Sequence, residues 1–121
     1  MVVVDSSGWI EFVVDGPKAD SYAAYLRRPE KVVTPSIVLY EVYRKLRRDW
    51  GKDAADFCVA YMEKTRVVPV DETIALRGAG LSLEFSLAMA DALILATAQA
   101  VGAELITSDQ DFRKVPGARV L

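Results

Sequence analysis

Five short, mostly apolar runs separated by helical segments constrain the fold of this 121-residue chain more than any other feature. The predicted strands lie at residues 2–4, 31–33, 66–70, 104–107 and 118–121. Short apolar runs are typical of strands buried on both faces of a parallel sheet. Their alternation with helices predicts an α/β fold, a three-layer α/β/α sandwich around a mostly parallel sheet of four or five strands. Because no repeat or long linker interrupts the pattern, residues 1–121 are expected to form a single domain.

The helices are predicted from apolar periodicity and from their end signals. They cover residues 6–14, 18–28, 35–50, 53–64 and 87–101, and a further helix opens at residues 71–72 and loosens at Gly78 and Gly80. Ser6 or Ser7 is expected to cap the first helix, with Asp5 as the alternative, and Thr34 is expected to cap the third, with a proline at its first helical position. The third helix carries an apolar stripe that we expect to face the core: Leu39, Tyr43, Leu46 and Trp50.

The absence of histidine excludes several kinds of active site. Without histidine there is no Ser-His-Asp or Cys-His triad and no His-ligated zinc. The single cysteine, Cys58, can form neither an internal disulfide nor a CxxC metal site. Any chemistry must therefore come from carboxylates and hydroxyls. A net charge of −2 also argues against a protein that binds nucleic acid by overall positive charge, although a local basic patch remains compatible with it.

No targeting or membrane segment is predicted. The chain has no run of 18 apolar residues, and its N-terminus lacks the basic flank and cleavage site of a signal peptide. We therefore expect a cytoplasmic protein with no membrane partner.

Acidic residues are predicted to converge at one edge of the sheet. Asp5 follows the first strand and Asp109 follows the fourth, and ligands of parallel sheets bind at these carboxyl ends. Asp91 lies in a helix that is apolar all round, so its carboxylate should be largely buried. The alternative for Asp91 is a favourable interaction with the helix dipole, worth about 0.3–1 kcal/mol. No Lys or Arg lies between Arg77 and Arg113 to pair with Asp91. The helix-dipole alternative fits poorly because other acids are predicted at the same edge of the sheet.

The third helix combines an acid with a basic stripe. Glu41 is followed by Arg44, Lys45 and Arg48, so a carboxylate lies beside cations suited to phosphate contacts. The simpler alternative is a surface ion pair between Glu41 and Lys45 with a solvated basic face. Near the C-terminus, Asp111 is expected to act only as a turn former or cap.

Four segments of the chain together resemble a PIN domain, and more narrowly the toxins of VapBC toxin–antitoxin pairs. They are VVVDSS at residues 2–7, LYEV at 39–42, ADALILATA at 90–98 and ITSDQDF at 106–112. The resemblance implies an endoribonuclease that depends on Mg²⁺ or Mn²⁺ and leaves 5′-phosphate and 3′-hydroxyl ends. It also implies a homodimer silenced by a protein antitoxin whose basic tail enters the acidic site.

The same resemblance assigns roles to individual residues. Asp5, Glu41, Asp91 and Asp109 match the acidic quartet that is catalytic and binds the metal. Further positions match polar groups around this quartet: Ser7, Thr107 and Asp111. One departure is Ala88, where the family often has a capping Ser or Thr. Because Ser86 lies two residues earlier, the helix is expected to start earlier and to shift Asp91 slightly.

Two other readings remain open at this point. A phospho-accepting receiver domain also has an acidic Mg²⁺ pocket on a parallel sheet, and Asp71 and Lys114 are candidates for two of its required residues. That reading leaves Asp91 without a role. A catalytically silent PIN fold that only binds a partner is the second alternative.

Overall fold

A single sheet of five parallel strands forms the centre of the computed structural model, which describes residues 1–121. The strands are β1 (Val2–Val4), β2 (Val32–Pro35), β3 (Arg66–Val68), β4 (Glu104–Thr107) and β5 (Ala118–Val120). Their order is β3-β2-β1-β4-β5, and every neighbouring pair is parallel. The predicted α/β fold is therefore confirmed, with five strands. Receiver domains have the order 2-1-3-4-5, so the receiver alternative is wrong.

Six helices complete the sandwich. They are α1 (Ser6–Val14), α2 (Ala19–Leu26), α3 (Ser36–Trp50), α4 (Lys52–Met62), α5 (Glu72–Phe85) and α6 (Met89–Ala100). Because crossovers between parallel strands are right-handed, α1 to α4 lie on one face of the sheet and α5 and α6 on the other. Contacts agree with this arrangement, since α1 packs on α2 and α3, α3 on α4, and α5 on α6. No single helix is long and apolar enough to cross a lipid bilayer.

The core is centred on the two middle strands. Val3 and Val4 of β1 and Leu105 and Ile106 of β4 are fully buried. Each such side chain contributes about 1.5–3 kcal/mol relative to an exposed one. The helices cover both faces of these strands, so the carboxyl ends of β1 and β4 are held side by side on a rigid base.

The buried face of α3 differs from the predicted stripe. Val38, Val42 and Leu46 are fully buried, whereas Trp50 is 62% exposed. Leu39 and Tyr43 are half-buried beside that face. Leu46 is therefore the one residue of the predicted stripe that is fully buried, and the buried face of α3 is centred on Val38 and Val42.

Helix ends also differ from the sequence-based expectations. Thr34 does not cap α3, because it belongs to β2 and its hydroxyl is hydrogen-bonded to that of Thr65. Asp5, the alternative candidate, caps α1 in place of Ser6 or Ser7. Near α6, Ser86 ends α5 with a left-handed backbone (φ 55°), and α6 begins at Met89. The expected earlier start of the helix that carries Asp91 is therefore wrong.

The helix α5 continues without a break through Gly78 and Gly80, contrary to the expected loosening. Gly78 is buried at the contact with α6, where a Cβ atom would lie 2.9 Å from Cδ2 of Leu93. The glycine thus allows the two helices to approach closely.

Candidate active site

The carboxyl ends of β1 and β4 bring Asp5 and Thr107 together. The two strands are neighbours in the sheet, and Asp5 N donates to the carbonyl of Ile106 at 3.1 Å. Asp5 is only 6% exposed. Its Oδ1 accepts hydrogen bonds from Ser7 N at 2.7 Å and Ser7 Oγ at 2.9 Å, and its Oδ2 accepts one from Thr107 Oγ1. Neutral donors therefore satisfy this buried carboxylate, and no cation pairs with it.

The loop after β4 is organised around Asp109. Thr107 Oγ1 accepts a hydrogen bond from Asp109 N at 3.0 Å while it donates to Asp5. Asp109 Oδ1 accepts from Asp111 N at 2.9 Å and caps the 3₁₀ turn Gln110–Phe112. The capping role expected of Asp111 thus belongs to Asp109. The side chain of Asp111 takes no part in this cap.

Asp91 joins these acids from the first turn of α6. The carboxylate oxygens of Asp91, Asp109 and Asp111 lie within 4.8 Å of one another, and Asp5 and Glu41 lie outside this group. Asp91 is half-buried, less enclosed than expected. Burial raises its pKa from 3.8 to about 6, and the carboxylates of Asp109, Asp5, Glu41 and Asp111 add to the rise. A helix N-terminus alone would lower the pKa, so the dipole does not dominate at this position.

Glu41 approaches the cluster from α3. Its Oε1 accepts a hydrogen bond from Ser6 Oγ at 2.6 Å, at the start of α1. The surface ion pair with Lys45, the alternative for this residue, is not formed. Glu41 is instead directed towards the N-terminal end of α1 and is close enough to contribute to the raised pKa of Asp91.

A groove of about 610 Å³ between α1 and α3 leads from Glu41 along the basic stripe. Ser6 and Ser7 line one end, and the exposed cations Arg44, Lys45 and Arg48 line the other. Arg48 forms an ion pair with Asp49 at 2.7 Å, whereas Arg44 and Lys45 form none. The groove therefore joins an acidic end to a basic wall.

The donor set at the acidic end fits a hard divalent cation. Mg²⁺ and Mn²⁺ prefer oxygen ligands, and one or two carboxylates with waters are enough to bind Mg²⁺. Here three carboxylates lie within 4.8 Å of one another, and every charge that perturbs Asp91 is also negative. A cation would neutralise this repulsion.

The PIN-domain family model matches residues 2–118. The chain belongs to the PIN-domain family. Ribonuclease VapC46 of Mycobacterium tuberculosis is 31% identical to it over 106 residues, which cover 86% of this chain and 78% of that protein.

Two solved structures show the same fold as this PIN domain. A toxin–antitoxin complex from Klebsiella pneumoniae superposes with a TM-score of 0.83 at 25% identity, over 99% of this chain and 97% of the other. VapC20 of Mycobacterium tuberculosis, described as a toxin that cleaves the sarcin–ricin loop, has a TM-score of 0.79 at 21% identity, over 97% and 96% of the two chains.

Three residues around the acidic cluster of this PIN domain were missed by sequence reasoning. Ser6 holds Glu41, and the hydroxyls of Tyr22 and Ser108 are hydrogen-bonded to each other. Ser6 directly follows Asp5 and Ser108 directly precedes Asp109, so both could have been predicted from their positions beside these acids. Tyr22 offered no such signal, because it reaches the site from α2.

Proposed function

We propose that this chain is a divalent-metal-dependent endoribonuclease, the toxin of a toxin–antitoxin pair. The observation that carries the proposal is the uncompensated carboxylate cluster in which the pKa of Asp91 rises to about 6. Such perturbed groups are concentrated at functional sites. The similarity to a protein named ribonuclease VapC46 supports RNA as the substrate.

The acids would hold Mg²⁺ or Mn²⁺ at the strand ends. Asp91, Asp109 and Asp111 offer the closest oxygens, and Asp5 and Glu41 complete the acidic surroundings. When bound, the metal lowers the pKa of a water molecule and offsets negative charge on phosphate oxygens. The hydrogen bonds from Ser7 and Thr107 fix the orientation of Asp5, and Ser6 fixes that of Glu41.

The basic wall of the groove would hold the RNA backbone. Arg44 and Lys45 are exposed and free of ion pairs, so both are available to phosphates. To bind a phosphate, Arg48 must either break its ion pair with Asp49 or hold Asp49 and the phosphate together. Because the chain carries a net charge of −2, binding depends on this local stripe and not on overall charge.

A protein antitoxin with a basic tail is the proposed partner. Cationic side chains entering the groove would neutralise the same carboxylates that otherwise bind metal and would occupy the path of the RNA. The Klebsiella pneumoniae relative is described as a toxin–antitoxin complex, which supports a partner of this kind.

A homodimer is also part of the proposal. Leu76 and Leu83 lie two turns apart on α5 and are 69% and 87% exposed, and Met89, the first residue of α6, is 74% exposed. Large exposed apolar side chains of this kind are common at protein interfaces.

A cleavage assay with matched variants tests the proposed activity. The wild-type protein should cut single-stranded RNA in Mg²⁺ or Mn²⁺ and lose activity in EDTA, and Asp91→Asn, purified identically, should be inactive. Asp20→Asn is the control, because Asp20 is an exposed acid in the first turn of α2 and should retain full activity. Equal cleavage by Asp91→Asn or in EDTA would contradict the proposal. No cleavage by an intact, metal-binding wild type would favour the catalytically silent PIN fold.

A further inference from the structure

Tyr22 of α2 reaches the active-site loop from beneath. Its side chain is fully buried, and its hydroxyl is hydrogen-bonded to Ser108 Oγ. Ser108 lies between Thr107, which donates to Asp5, and Asp109, whose carboxylate faces Asp91. The tyrosine is thus attached to the segment that positions two of the proposed acidic ligands.

The ring of Tyr22 also packs directly under the start of α1. A Cβ atom at Gly8 would lie 2.4 Å from Cε1 of Tyr22, so only glycine allows this contact. The same turn of α1 carries Ser7, which donates to Asp5. Burial raises the pKa of Tyr22, and the nearby Asp5 contributes to the rise, which agrees with a neutral hydroxyl next to the acids. One side chain therefore contacts both segments that enclose the cluster.

We infer that Tyr22 is a positioning residue for the metal site, acting through Ser108 on the loop that carries Asp109. The inference rests on the proposed function. Asp109 and Asp91 repel each other, so the loop would relax outward if nothing held it. The bond between Tyr22 and Ser108 opposes this movement and keeps the carboxylates at a spacing that one cation can bridge. Tyr22 itself touches neither RNA nor metal.

Tyr61 provides a matched control. Its hydroxyl donates to the carbonyl of Leu26, so Tyr61→Phe removes the same group from a comparable hydrogen bond that has no link to the acids. Tyr22→Phe and Tyr61→Phe should therefore lower the free energy of unfolding by similar amounts, whereas only Tyr22→Phe should weaken Mn²⁺ binding. Ser108→Ala should change the metal site in the same direction as Tyr22→Phe, because it removes the bond between Tyr22 and Ser108.

The direct readout is Mn²⁺ affinity, measured by calorimetry on the full chain without RNA. We expect Tyr22→Phe to raise the Mn²⁺ Kd about three- to tenfold, which is below the roughly 10- to 100-fold typical of groups bonded directly to a metal ligand, because Tyr22 acts through Ser108. Tyr61→Phe should leave the Kd unchanged. The double variant of Tyr22→Phe with Ser108→Ala should be no worse than Tyr22→Phe alone, because Ser108→Ala removes a bond that Tyr22→Phe has already removed. In RNA cleavage at saturating metal, kcat should fall while KM for RNA stays constant.

The outcomes separate this inference from the proposed function. If the wild type binds Mn²⁺ and cleaves RNA but Tyr22→Phe binds Mn²⁺ as tightly as Tyr61→Phe does, Tyr22 is merely structural and the inference is overturned. Additive effects of Tyr22→Phe and Ser108→Ala would overturn it as well. If the wild type binds no Mn²⁺, the proposed function fails first and the inference fails with it.

Discussion

Replacing Asp91 with Asn should stabilise the metal-free protein, although most substitutions of a half-buried residue destabilise. The carboxylate of Asp91 forms no ion pair, and burial and four other carboxylates raise its pKa from 3.8 to about 6. A group whose pKa is raised on folding resists ionisation in the folded state. Its ionised form therefore lowers the free energy of unfolding at neutral pH. Asparagine keeps the shape and removes the charge.

The expected gain in the free energy of unfolding follows from the pKa shift of Asp91. A rise from 3.8 to about 6 corresponds to at most about 3 kcal/mol at 1.36 kcal/mol per pH unit. Because Asp91 is only half-buried, solvent screening reduces this to about 1–2 kcal/mol. For a chain of this size the midpoint of thermal unfolding should rise by about 3–10 °C.

The pH dependence of unfolding tests a second time whether Asp91→Asn is more stable than the wild type. Below pH 3.8 the carboxyl is protonated in both the folded and the unfolded state, so wild type and variant should have similar stability. As the pH rises from about 4 to about 6 the unfolded state loses its proton first, and the wild type should lose stability relative to Asp91→Asn. Above about pH 6 the difference should be constant.

The assay is thermal unfolding followed by circular dichroism in EDTA, from about pH 3 to about pH 8. Asp20→Asn is the control, because it removes a first-turn carboxylate that has no acidic cluster around it. It should destabilise by about 0.3–1 kcal/mol through the helix dipole alone. An Asp91→Asn variant that is destabilised at pH 7.5 to the same extent as Asp20→Asn would refute the reasoning, since it would make Asp91 a dipole partner.

Three further predictions concern metal, RNA and assembly. Mn²⁺ at a hundredfold excess over its Kd should stabilise the wild type by about 2.7 kcal/mol and Asp91→Asn far less, as measured by scanning calorimetry. Equal stabilisation of the two proteins would contradict a metal site at Asp91. The double variant Arg44→Ala and Lys45→Ala should weaken RNA binding and reduce the slope of its salt dependence by roughly one per lost contact. The control Lys31→Ala should change neither, because Lys31 precedes β2 at the amino end of the sheet, away from the acids. An unchanged slope in the double variant would show that Arg44 and Lys45 do not contact phosphates. Leu83→Glu should convert the dimer into a monomer, as measured by light scattering. A dimer that persists would show that this face of α5 is not the dimer interface.

The strands and the acids were predictable because their signals are local. The apolar runs of β1 and β4 lead directly into Asp5 and Asp109, and adjacent parallel strands must place their carboxyl ends together. The raised pKa of Asp91 agrees with the lack of nearby cations in its sequence neighbourhood. The strands and the acids that follow them could be predicted from short segments, whereas the order β3-β2-β1-β4-β5, which makes β1 and β4 neighbours, depends on contacts between distant segments and was not predicted.

The errors arose where several interactions compete for one residue. Thr34 has the right residue type for a helix cap, but β2 extends through it and uses its hydroxyl for Thr65. Asp111 was expected to cap a turn, and Asp109 does so instead while remaining in the acidic cluster. Tyr22 could not be predicted at all, because its contact with Ser108 depends on how α2 packs under the loop.

The most direct test of the account is the Mn²⁺ dependence of RNA cleavage compared with Mn²⁺ binding on the same preparation. Single-turnover cleavage should rise with Mn²⁺ and reach half of its maximum close to the Kd measured by calorimetry, and Asp91→Asn should lose binding and cleavage together. Cleavage that is saturated without added metal, or that persists in Asp91→Asn after its Mn²⁺ binding is lost, would contradict the claim that the carboxylate cluster binds the catalytic metal.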